Sequence, residues 1–298
     1  MIRSPRSLAV LLFLIGLVAG TLEDPVPVRT PERQDGYVVL AADFHVHAFF
    51  GDFGLAPWDL HREVTRAGLD VVAVTNHSGV LGGWLNREWS RRRGGPLILV
   101  GQEVTSSNYH LIAAGVEHSI DARQPAAAAI RAVHAQGGVA IAAHPVRVHW
   151  KAFDRQALTL LDGVEAAHPT MHVSEEDKRD LDIFYRRAKE QNPDIAPIGS
   201  SDFHVIAPVG VCRTYVFARE YSADGVLDAV RHGRTVAMDA RGHLYGDPLL
   251  VRLIERQRSP ADRIPPRRDS ALRRFALTST WLGLLGAMIL RGAPSRSD

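Results

Sequence analysis

The sequence is nearly free of cysteine. Its single cysteine, Cys212, excludes an internal disulfide framework and any cysteine-rich zinc site. An excess of one charge sign is also missing. The 35 Lys and Arg stand against 33 Asp and Glu, leaving +2 over 298 residues, so this is no overall polycation of the nucleic-acid-binding kind. Apolar residues at 46% and charged residues at 23% exclude a disordered or collagen-like chain. Long apolar runs occur only at the two ends, which excludes a polytopic membrane protein. The length allows one large domain or two small ones with a sizeable core. The positive excess is local: residues 251–298 hold ten Arg against four acids, while residues 37–250 hold 21 bases against 25 acids. Histidine is what the chain has in quantity, with 14 residues.

The ends predict membrane attachment. Residues 8–20 (LAVLLFLIGLVAG) follow Arg3 and Arg6, as in a signal peptide or an N-terminal anchor. Residues 275–290 (FALTSTWLGLLGAMIL) form a second apolar run, short for a span of about 20 residues. Five Arg before Phe275 favour a cytoplasmic body, whereas Arg3 and Arg6 favour an extracytoplasmic one. The first segment is given the greater weight, so the expectation is a membrane-associated chain with its catalytic domain on the extracytoplasmic side.

Residues 21–36 and 256–274, rich in proline and charge, read as linkers, leaving one domain over residues 37–255. Within it, apolar β-type runs at 37–42, 70–75, 97–101, 109–116, 139–143, 163–167, 195–199 and 214–218 alternate with helical patterns at 57–67, 125–136, 175–190 and 223–231. Seven or eight such units predict an α/β barrel with flanking hydrophobic helices rather than an open sheet.

The polar residues fall where those runs end. His45 and His47 follow the first run, His77 the second, Glu103 the third, His144 the run ending at Ala143, and Asp202 and His204 the run ending at Gly199. In a parallel barrel such ends converge on one face. Imidazoles and carboxylates without thiolates suit Mn, Zn or Fe in a hydrolytic, multinuclear site.

These motifs (D-F-H-V-H at 43–47 with Asp52 after it, T-N-H at 75–77, G-Q-E-V at 101–104, H-L at 110–111, H-P at 144–145 and G-S-S-D-F-H at 199–204) resemble the PHP (polymerase and histidinol phosphatase) superfamily. The resemblance implies a distorted (β/α)7 barrel with two or three divalent ions. It implies that His45, His47, Glu103 and Asp202 hold the first ion. Glu103, His110 and His144 would hold the second, and Asp52, His77 and His204 the third. Asn76 stands where the family usually carries Asp. The implied activity is hydrolysis of a small phosphomonoester or nucleotide by a metal-activated hydroxide, with no separate general base.

Two other readings stay open: a metallohydrolase of carboxylic or carbamate esters on the same fold, and a non-catalytic, metal-stabilised binding domain. A nucleic acid partner is not supported by the acidic body. Arg147, Arg213 and His168 are the candidates for substrate binding, because a phosphate needs cationic or hydrogen-bonding partners. The other histidines, His149 among them, are expected on the surface or in caps, and the membrane is expected as a partner through one or both ends.

Overall fold

A computed structural model describes residues 4–21, 29–52, 54–169, 174–204, 208–257 and 271–290. The chain forms two compact units: Met1–Val26 with Pro266–Asp298, and Pro27–Pro265.

The first unit pairs helix α1 (Pro5–Thr21) with helix α9 (Ala271–Ile289). Small residues set their approach: a Cβ on Gly16 would lie 2.5 Å from the Thr280 nitrogen, and Ala9, Ala276 and Ser279 are buried. This corrects the expectation of membrane attachment and an extracytoplasmic domain. Among the described residues no helix is long and apolar enough to cross a membrane. The 17 residues of α1 reach about 26 Å at 1.5 Å per residue, short of a hydrocarbon core of about 30 Å. Helix α9 carries Arg273, Arg274 and a Thr-Ser-Thr run.

The second unit is an α/β barrel. Its strands are β1 (Glu32–Gln34), β2 (Tyr37–Val46), β3 (Val71–Val74), β4 (Leu97–Thr105), β5 (His110–Ala114), β6 (Val139–Ala142), β7 (Gly163–Ala167), β8 (Ala196–Gly199), β9 (Arg213–Ala218), β10 (Thr235–Met238) and β11 (Leu244–Gly246). They run β11-β10-β9-β2-β3-β4-β5-β6-β7-β8, with β1 beside β2. Pairs β2–β3, β3–β4, β6–β7 and β7–β8 are parallel, and the pairs involving β1, β5, β9 and β11 are antiparallel. Side-chain hydroxyls join the sheet's far end back to its start. Thr214 Oγ1 accepts from the Gly199 N–H and donates to its carbonyl, both at 2.9 Å, and Thr235 Oγ1 donates to the Pro197 carbonyl at 2.9 Å. Gly199 permits this closure, since a Cβ there would lie 2.4 Å from the Arg213 carbonyl oxygen.

The helices of this unit are α2 (Pro57–Arg66), α3 (Leu81–Arg93), α4 (Ala126–His134), α5 (Arg155–Leu160), α6 (Glu175–Gln191), α7 (Ala223–Arg231) and α8 (Pro248–Gln257). Asp154, Ser174 and Ser222 cap α5, α6 and α7 by accepting a first-turn N–H. All eight expected strands are present. Strand β1 lies inside the stretch expected to be a linker, because Glu32–Gln34 turns through Asp35 and Gly36, both at positive φ, to pair with Tyr37–Val39. Most of the second expected linker lies outside the described residues, although α8 runs into its start.

Candidate metal centre

The end of strand β2 delivers two imidazoles together. Phe44 and Val46 enter different apolar clusters, because the pairing of β2 with β3 shifts between Asp43 and Val46. His45 lies in this irregular stretch and His47 just beyond the strand's end, and both are fully buried. Glu103 comes from β4 and His110 from the start of the antiparallel β5, which places both at the same barrel end. His144 and Asp202 follow β6 and β8 with φ of 26° and 46°, left-handed conformations that favour glycine elsewhere and mark strain at functional sites. Asp43 fixes the loop after β8 to β2: it accepts from the Ser201 N–H and Oγ and from the Gly210 N–H at 3.1, 2.6 and 2.8 Å.

The core of the site is a cage of four donors. His45 Nε2 lies 3.2 Å from Glu103 Oε2 and 3.2 Å from Asp202 Oδ1. His47 Nε2 lies 3.5 and 3.2 Å from the same two oxygens. Donors bonded to one ion at about 2.1 Å stand about 3.0–3.4 Å apart, so these separations are the edges of a coordination shell. Among the described residues, His45 Nε2, His47 Nε2 and Asp202 Oδ1 are buried without a hydrogen-bond partner, a costly state for polar atoms that a cation relieves. The residues therefore fit a metal ion.

The electrostatics agree. Burial pulls the His45 imidazole down, but Asp202, Glu165 and Glu103 together hold it well above the usual histidine range. Burial raises the Asp202 and Glu103 carboxyls, yet the surrounding imidazoles keep both far below the usual range. A centre this negative attracts cations, a proton or a metal ion among them.

The supports around the cage are carboxylates, as metal-bound imidazoles usually require. Glu165 Oε1 is 3.0 Å from His45 Nδ1, while its other oxygen accepts the His144 N–H. Asp52 Oδ2 is 2.9 Å from His47 Nδ1 and accepts the His77 N–H at 3.0 Å. His47, Asp52, His77 and His204 form a second group able to hold an ion, His110, His144 and His149 a third, and His45, Glu165 and His168 a fourth. All nine ligand positions expected from the sequence thus converge on one end of the barrel.

Asn76 is a bracket: its Oδ1 accepts the Ala48 N–H and its Nδ2 donates to the Ala48 carbonyl, both at 2.8 Å. An aspartate can supply only the acceptor.

Two of the three substrate candidates are occupied elsewhere. Arg147 Nε donates to Asp180 Oδ1 at 2.9 Å. Arg213 is buried and donates to the carbonyls of Gly210 and Ala67 at 2.9 and 3.0 Å. His168 is buried within the ligand cluster, its Nε2 3.4 Å from Asp202 Oδ2. Sequence reasoning missed Glu165, although an acid inside an apolar strand was a usable signal. It also missed His149, whose place in the loop after His144 no periodicity reveals.

Comparison with known proteins supports the same class. A family model described as PHP-associated matches residues 187–235. The fold is shared with the crystal structure of a two-domain protein from Bacteroides vulgatus containing a predicted PHP-like metal-dependent phosphoesterase. Its TM-score is 0.60 and its identity 22%, over 78% of this chain and 74% of that one. An uncharacterized protein of Methanocaldococcus jannaschii is 26% identical over 138 residues, 42% of this chain and 80% of its own length. The resemblance to the PHP superfamily read from the motifs is borne out by the family match and the fold.

Proposed function

We propose that the protein is a metal-dependent phosphoesterase that hydrolyses a small phosphomonoester or nucleotide. The observation that carries this reading is the buried cage of His45, His47, Glu103 and Asp202. Bound divalent ions supply Lewis acidity toward phosphoryl oxygens and lower the pKa of water toward neutrality. His45, His47, Glu103 and Asp202 would hold one ion, Glu103 with His110 and His144 a second, and Asp52, His77 and His204 a third. Glu165 and Asp52 orient the imidazoles, and the burial of His45 and His47 excludes bulk water from the cage floor.

A cavity of about 600 Å³ has Ala166 and Pro169, on either side of His168 in the sequence, among its lining residues, although the described lining includes no residue of the ligand groups. Its lining mixes Lys178 and Arg241 with Asp182 and Asp239, beside Tyr185 and Tyr245, which suits a polar compound with a planar group. The second reading, a carboxylic ester hydrolase, is favoured by the engagement of Arg147 and Arg213 away from the cage. The test offers the Mn²⁺-loaded protein a pool of nucleotides, phosphomonoesters and carboxylic esters, with His45→Ala beside it. Phosphate release that the substitution lowers by roughly a hundredfold or more supports the first reading. Turnover of carboxylic esters alone supports the second, and a metal-loaded protein that turns over nothing overturns both.

A further inference from the structure

One buried carboxylate beside the cage belongs to none of the sequence motifs. Glu165, in the middle of β7, is fully buried, a place that glutamate occupies only when it is paired. Both of its oxygens are engaged, and by ligands of different ion positions. Oε1 lies 3.0 Å from His45 Nδ1, and Oε2 accepts the His144 N–H. The first contact decides which nitrogen of the His45 ring carries the proton. His45 turns Nε2 toward Glu103 Oε2 and Asp202 Oδ1, so Nε2 is the nitrogen that meets an ion and must be bare. The proton of the neutral ring then sits on Nδ1, which donates it in a hydrogen bond to Glu165 Oε1. The second contact acts on the backbone. His144 has a φ of 26°, a conformation that side chains disfavour, and its N–H is held by Glu165 from the neighbouring strand.

We infer that Glu165 is a positioning residue for two ion positions at once: one oxygen selects the metal-binding tautomer of His45, and the other holds the backbone of His144. This rests on the metallohydrolase reading above and adds to it a link between the first and second positions. Glutamine shows what the role demands. It matches glutamate in size but offers one acceptor and one donor. An amide turned to accept the His144 N–H presents its NH2 to His45 Nδ1. That favours the tautomer with its proton on Nε2 and closes this nitrogen to metal. The opposite flip sets the NH2 against the His144 N–H, two donors face to face. Neither orientation serves both ligands.

The test uses the full chain, stripped with a chelator and titrated with Zn²⁺ or Co²⁺. Glu165→Gln is expected to hold two ions roughly tenfold to a hundredfold more weakly than the native chain. Weakening of one ion alone overturns the double role, and native-like binding overturns the role altogether. NMR of the Zn²⁺-loaded native chain with ¹⁵N-labelled histidine gives a measurement that does not depend on the variant folding. The His45 ring, identified by its absence in His45→Ala, is expected to carry its proton on Nδ1 and metal on Nε2. A bare Nδ1, as an ion seated among His45, Glu165 and His168 would leave it, overturns the assignment. In Glu165→Gln the His45 proton is expected to move to Nε2, whereas a merely structural role would leave the tautomer unchanged. A native chain that binds no ion overturns the metallohydrolase reading itself. A native chain with its ions beside an unaffected Glu165→Gln overturns only the role of Glu165.

Discussion

Asn76 shows how much one atom decides at this site. Its amide pairs with both the N–H and the C=O of Ala48, and so fixes the turn that leads from His47 toward Asp52. In Asn76→Asp a carboxylate oxygen replaces the donor and faces the Ala48 carbonyl. The expected cost is about 1–3 kcal/mol, read as a lower denaturation midpoint with unchanged slope. An unchanged midpoint would show that the bracket is dispensable. His61 gives a second prediction at this scale. Burial, then the charges of Arg62 and Arg93, hold its imidazole below the usual range. Its stabilising contribution is therefore complete above its unfolded value of about 6.5 and declines as the pH falls from there through the folded value. His61→Gln is expected to lose less stability than the native chain between neutral and mildly acidic pH, as denaturant titrations at the two pH values would show. An equal loss in both would assign the acid sensitivity to other groups.

At the scale of elements, the sequence was most legible where burial and periodicity coincide. The runs that became β2 to β9 are apolar and bounded by turn residues, and the motif residues at their ends were readable because a barrel strand delivers its last side chains to one rim. Strands β10 and β11 were less legible. Thr235–Met238 is four residues long, and Leu244–Gly246 is three residues with only partial burial, so neither displays a period. Helix α3 was hidden by two glycines in its first turn and three arginines in its last, a composition that reads as loop. Its glycines are a packing requirement: a Cβ on Gly83 would lie 3.1 Å from the Val100 Cα. The apolar ends of the chain misled in the opposite direction, because composition alone did not weigh the length of α1 against the polar residues of α9. Arg213 was misread because the sequence shows its charge but not the carbonyls of Gly210 and Ala67 that consume it.

For the whole molecule, the ligand groups draw on β2, β4, β5 and β7 and on the loops after β2, β3, β6, β7 and β8, so ion binding and barrel stability are linked. A ligand that binds only the folded state at a hundredfold excess over its Kd adds about 2.7 kcal/mol. Removing the ions with a chelator is expected to lower the melting temperature, and readdition to restore it. Equal melting curves with and without metal would contradict binding at the cage. The hydroxyl-bridged seam at Gly199 carries a consequence for how the protein is made. Every motif ligand lies between His45 and His204, yet the strands that close the barrel, β9 and β10, come later in the chain. A nascent chain that has just emerged through His204 holds all of those residues but leaves the β9 side of β2 without its partner and β8 without the threonines that receive it. The centre is therefore among the last parts of the protein to take shape during synthesis, and a prematurely terminated chain would carry the full set of motifs without the pocket they describe.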